Sequence, residues 1–138
     1  INMAETAKIR VNVEVIELEV NDNGDTIKLP VSDEMFIKRL YDFIDRVSEE
    51  SKKLDNLDLE DIAGTIEKDI QFHEMMKEQF NILFGDLAYE KVFGSDIVVG
   101  AEYILEFLEQ CMPYIQKYVD KREKKLTKYS ANRVGSSL

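Results

Sequence analysis

The chain has 138 residues, 44% of them hydrophobic, which is enough for one domain with a real core and short for two. Its formal charge of −10 disfavours binding to a phosphate backbone, because such affinity comes chiefly from Lys and Arg displacing counterions. The single cysteine, Cys111, excludes an intramolecular disulfide framework and a Cys-rich zinc site, and no apolar run approaches the roughly 18 residues needed to cross a bilayer.

With no signal-peptide pattern at its start, the chain is expected to reside in the cytosol, and Met3 is the expected native start, preceded by Ile1 and Asn2. Charge is uneven along the chain. Residues 1–120 hold 12 Lys/Arg against 27 Asp/Glu, while residues 121–138 hold 6 against 1, giving a body of −15 and a tail of +5.

The segment KIRVNVEVIELEV (8–20) alternates apolar and polar residues as a strand does, with Ile9, Val11, Val13 and Val15 on one face. After Val15 the phase slips by one, and Ile16, Leu18 and Val20 carry the apolar face onward, so a bulge or break is expected there. NDNGD (21–25) is turn chemistry and TIKLPV resumes the alternation, which predicts a β-hairpin over 9–31 with Pro30 confining the second strand to an edge or end. Ser32 is the expected cap of a helix over about 33–52. There Phe36, Ile37, Leu40, Tyr41, Phe43, Ile44 and Val47 share one face, opposite Lys38, Arg39, Asp42, Asp45 and Arg46.

A second helix is expected over about 59–84. Leu59, Ile62, Ile66 and Ile70 make a narrow stripe in its first half, and the apolar residues of its second half surround more than half the circumference, so that half needs neighbours on more than one side. The stretch FGDLAYEKVFGSD (84–96) has glycines nine residues apart at Gly85 and Gly94. It predicts a short helix, 87–93, between two turns, with Asp86 capping its start. A phosphate cradle would need several glycines close together and a Lys or Ser/Thr in register, and neither is present. The last helix is expected over 97–126. Its continuous apolar stripe runs from Ile97 through Ala101, Ile104, Leu105, Leu108, Cys111, Met112 and Ile115 to Val119, with Pro113 inside it. Residues 128–138 read as a disordered basic tail, leaving 1–127 as a single domain. The fold class is thus α+β, mostly α: a small N-terminal hairpin followed by a bundle of three long helices and one short helix.

Catalytic signatures are absent from the sequence. HEMMK has Lys77 where a zinc protease needs its second histidine, and NDNGDTIKLPVS places its glycine and its last residue wrongly for a calcium loop. The only histidine, His73, reads as a core or edge residue with a hydrogen-bond partner; a hydrolase built on His73 and nearby carboxylates is the remote alternative. Cys111 sits in an apolar stripe, where a thiol acts as a small hydrophobe. No catalytic residue, metal ligand or cofactor site is therefore assigned. One feature points to a partner: Tyr103, Phe107, Tyr114 and Tyr118, at offsets of 4, 11 and 15, form a second stripe rotated by about 80° from the aliphatic one. Either both stripes are core or the aromatic one is a protein-binding groove or self-association face.

Three stretches together resemble the small tail assembly chaperones of long-tailed bacteriophages and of prophages in Gram-positive bacteria. They are IRVNVEVIELEVNDNGDTIKLPVSDEMFIKRLYDF, FNILFGDLAYEKVFG and the closing KYSANR. The resemblance implies a non-enzymatic protein of the bacterial host cytoplasm, with the phage tape measure protein and tail tube protein as partners. In that family the chaperone keeps the tape measure soluble while tube subunits assemble, and a longer frameshifted product often accompanies the shorter one. The alternative reading is a homo-oligomeric structural or adaptor protein of a prophage with no client.

Overall fold

The computed structural model describes residues 4–53 and 62–136. Strands β1 (Ile16–Glu19) and β2 (Thr26–Leu29) are followed by helices α1 (Glu34–Lys53), α2 (Ile62–Phe84), α3 (Ala88–Phe93) and α4 (Ala101–Ser136). This is the expected α+β, mostly α architecture: an antiparallel hairpin, three long helices and one short one. Residue 59, the expected start of the second helix, lies outside the described residues.

The hairpin register pairs Ile16 with Leu29 and Leu18 with Ile27, so the apolar residues of both strands meet on one face. Asn21 organises the turn. Its Oδ1 accepts the amides of Asn23 (2.9 Å) and Asp25 (3.2 Å), and Gly24 takes φ 80°, which a side chain would resist. The strand is shorter than its alternation predicts, because residues 9–15 are not in the sheet. The physical reason lies in β2, which ends at Leu29. Pro30 has no amide to donate, and Val31 turns its own amide back to the Leu29 carbonyl (2.9 Å). The last link is at Glu14, whose carbonyl accepts both the amide (3.3 Å) and the hydroxyl (2.7 Å) of Ser32. With Ser32 engaged there, the helix cap passes to Asp33, whose Oδ1 accepts the Met35 amide at 2.9 Å.

α1 buries Phe36, Leu40, Phe43 and Val47, while Tyr41, placed by its sequence phase on the apolar face, is exposed. The second half of α2 is contacted from three sides, as its broad apolar surface requires. Phe80, fully buried, meets the rings of Phe43 on α1, Tyr89 and Phe93 on α3, and Phe107 on α4, at centroid distances of 6.3, 5.7, 5.6 and 5.3 Å. The first half departs from expectation: Ile62, Ile66 and Ile70 are exposed, since α1 packs against the later turns of α2 and not against these.

The FGDLAYEKVFGSD stretch is a joint between helices. Gly85 takes φ 110° and Gly94 φ 113°, and α3 lies between them. Its cap is not Asp86, because Leu87 occupies the cap position in left-handed conformation (φ 60°, ψ 13°) with no side-chain hydrogen bond. Asn81, still on α2, supplies the acceptor instead, its Oδ1 receiving the Tyr89 amide at 2.8 Å. A left-handed conformation costs a leucine about 1–2 kcal/mol, and this side chain is exposed. Leu87→Gly is accordingly expected to raise stability by about 0.5–1 kcal/mol, read as a higher denaturation midpoint at unchanged slope.

α4 begins at Ala101, not at residue 97. Asp96 is left-handed (φ 57°), the β-branched run Ile97–Val99 is a poor helix former, and the Val99 amide is held by the Tyr89 hydroxyl (2.9 Å). The helix buries Ala101, Ile104, Leu108, Cys111 and Ile115, spaced alternately three and four apart. It continues through Pro113 to Ser136, past the expected end at 126 and through residues assigned to a disordered tail. Residues 114–134 contain neither Gly nor Pro and are rich in good helix formers, so the helix propagates although residues 119–131 are exposed. Lys121 to Glu14 (3.2 Å) and Arg122 to Glu34 (2.9 Å) tie the base of this projecting part to the hairpin and α1.

Candidate functional site

An open groove of about 360 Å³ runs between α4 and β1. Leu18, Glu19 and Val20 line one wall, Tyr103, Phe107 and Tyr114 the other, and Val92 and Phe93 of α3 also line it. Three of the four aromatic residues of the second stripe are thus brought together. Tyr103 and Tyr114 are exposed, while Phe107 is half-buried and packs on Phe84 (5.4 Å) as well as on Phe80. Tyr118 is not part of this surface. One helical turn beyond Tyr114, it lines a separate groove of about 300 Å³ with Val31, Glu34, Ile37 and Arg122. The opposing wall of Leu18, Val20 and Phe93 has no signature at helical spacing with the tyrosines, and only the fold places it across from them.

The hairpin gives this groove a polar margin. Val20 donates its amide to Asp25 (3.0 Å), so in the antiparallel ladder Val20, Leu18 and Ile16 turn their backbone groups toward β2. The amides and carbonyls of Glu17 and Glu19 therefore lie along the outer edge of β1, which has no strand beside it among the described residues. A trough lined by aromatic and aliphatic side chains, with Glu19, Glu106 and Gln110 among them, next to an open strand edge suits an extended segment that adds a strand and places alternate side chains in the trough.

The hairpin, and with it this wall, is anchored to α3. Asn21 Nδ2 donates to the Lys91 carbonyl (2.9 Å), and Lys91 Nζ donates to the Thr26 carbonyl (3.2 Å). α3 in turn is fixed to α2 by Lys77, which pairs with Glu90 at 2.8 Å and lies 5.5 Å from the centre of the Tyr89 ring. The hydrogen bond from Lys77 holds the Glu90 carboxyl below its ordinary range, and the same bond raises Lys77.

Cys111 lines the groove but is buried, and desolvation pushes its thiol up to about 12, so it is protonated and unreactive at neutral pH. His73 lies elsewhere, 2% exposed, with Nε2 3.1 Å from Asp69 Oδ1. That contact is close but lacks hydrogen-bond geometry, and both ring nitrogens are buried without a partner among the described residues. Among the described residues no group of three or more His, Cys, Asp or Glu is placed to hold a metal ion, and no helix is long and apolar enough to cross a membrane.

Fold and site together define a mostly helical α+β protein with an aromatic-lined groove of mixed polarity beside an open strand edge. Residues 23–136 match the family described as a family of unknown function (DUF6673), and the chain belongs to it. No curated protein and no solved structure matches the chain.

Proposed function

We propose that this protein is a non-enzymatic tail assembly chaperone of a long-tailed phage or prophage, holding the tape measure protein in the host cytoplasm during tail morphogenesis. The observation that carries the binding role is the groove, where Tyr103, Phe107 and Tyr114 face an open strand edge. Tyrosines combine large apolar area with a hydroxyl at the wet rim, the chemistry of a surface that must stay soluble empty and become apolar when filled. The phage assignment rests on the sequence resemblance, and with it the tape measure and tail tube proteins as partners. An acidic body suits the holding of an aggregation-prone client, since like charges keep loaded complexes apart.

The test is co-expression with the tape measure protein of the same phage. The wild-type chaperone is expected to move the tape measure into the soluble fraction and to co-purify with it. Tyr103→Glu with Tyr114→Glu, both at exposed positions, is expected to leave the fold intact and weaken capture by at least about tenfold, because two aromatic anchors are lost and negative charge is added beside Glu19 and Glu106. Undiminished capture by the folded double variant would place the client elsewhere. A tape measure that stays insoluble with the wild type would favour the client-free structural protein, a reading supported by the bare apolar segment at residues 9–15.

A further inference from the structure

The segment before β1 is an unused strand. Ile9, Val11, Val13 and Val15 alternate with polar residues and are 84%, 82%, 70% and 47% exposed, and residues 4–15 join no sheet. We infer that residues 8–13 of one copy of this chain occupy the groove of a second copy, adding a strand to the outer edge of β1 and seating Ile9, Val11 and Val13 against Tyr103, Phe107 and Tyr114.

Three observations fix this occupant. The first is charge: with Ile9, Val11 and Val13 turned into the trough, Lys8 and Arg10 stand on the outward face of the added strand, the face on which β1 presents the exposed carboxylates of Glu17 and Glu19. The second is dimension. From Lys8 to Val13 an extended chain advances about 17 Å, and from Tyr103 to Tyr114 a helix advances about 16 to 17 Å. Strand residues two apart are separated by about 6.6 Å, close to the 6 Å between helix residues four apart, so successive arm side chains fall between successive turns of α4. The third is reach. The arm cannot fill its own groove, because it leaves β1 without a loop and Glu14 is held on the far side by Ser32 and by Lys121 at the other end of the contact with α4. Folding back beside β1 would require a two-residue turn at Glu14 and Val15, which would break those bonds. A second copy meets no such constraint, and the groove is completed by a residue set that only another chain supplies.

This inference uses the same groove as the proposed function, so the arm is what a client must displace. The test is sedimentation equilibrium of the full chain over a wide concentration range, with backbone amide exchange at Glu17 and Glu19. Wild type is expected to self-associate and to protect both amides. Val11→Asp with Val13→Asp is expected to weaken association by roughly 100-fold or more and to expose both amides, since two charges would enter the trough. The arm makes no core contact, so the helical circular dichroism of this variant is expected to be unchanged. A wild type that is monomeric throughout, or association untouched by the double variant, would overturn the inference. So would association lost without any change at Glu17 and Glu19, which would mean that arms pair with something other than β1. Capture of the tape measure by the arm variant is scored separately: retained capture leaves both readings standing, and failed capture by a wild type that self-associates through the arm overturns only the client.

Discussion

Phe80→Ala is expected to lower the unfolding free energy by about 3–5 kcal/mol, the upper part of the range for truncating an aromatic core residue. Phe80 has no exposed surface, and its ring lies between residues of α1, α3 and α4. Phe84 also lies against it at 4.8 Å, so removing the ring leaves several aromatic partners without an edge or face to pack on. Collapse of neighbours into the gap is restrained, because they come from all four helices. In a chain of this length the loss is expected to appear as a fall in melting temperature on the order of 10–15 °C. A fall of only one or two degrees would show that the helices close around the cavity and that the aromatic cluster is not the centre of the fold.

Tyr89 is expected to show two separable contributions. Tyr89→Ala removes a fully buried ring and is expected to cost about 3–5 kcal/mol. Tyr89→Phe keeps the ring and removes the hydroxyl that accepts the Val99 amide at 2.9 Å, with an expected cost of about 1–2 kcal/mol. The second effect is the more informative, because that bond is one of three features, with left-handed Asp96 and the β-branched run Ile97–Val99, that accompany the start of α4 at Ala101. Hydrogen exchange at the Val99 amide is expected to accelerate in Tyr89→Phe by more than exchange in the middle of α4, where only the loss of global stability shows. Equal exchange at Val99 in both proteins would mean that the segment is held by its neighbours and not by the tyrosine.

Much of the local structure follows from sequence alone, where a residue's own conformational preference decides. NDNGD makes a turn because Asn21 can accept two backbone amides and Gly24 can take positive φ, and both properties are intrinsic to the residues. α1 is legible for a similar reason: Phe36, Leu40, Phe43 and Val47 repeat at helical spacing and all face the core. The glycines at 85 and 94 mark a joint rather than a ligand loop, and the structure has that joint.

Tertiary structure decided everything that depends on a partner distant in sequence. Periodicity shows that an apolar face exists but not whether the fold supplies anything to cover it. The identical reading gave a buried stripe on α4 and the exposed Ile62, Ile66 and Ile70 on α2, because α1 is placed to meet the later turns of α2 only. The alternation of residues 9–15 is a true strand signal, yet the end of β2 at Pro30 leaves it without a mate among the described residues. The cap of α3 comes from Asn81 on the preceding helix, which no local pattern announces. Of the aromatic stripe, spacing alone selects Tyr103, Phe107, Tyr114 and Tyr118 equally. The position of the hairpin across α4 separates them, placing the first three opposite Leu18, Val20 and Phe93 and turning Tyr118 toward α1. A groove has two walls, and since they come from segments some 85 residues apart in the chain, only the packed structure brings them face to face.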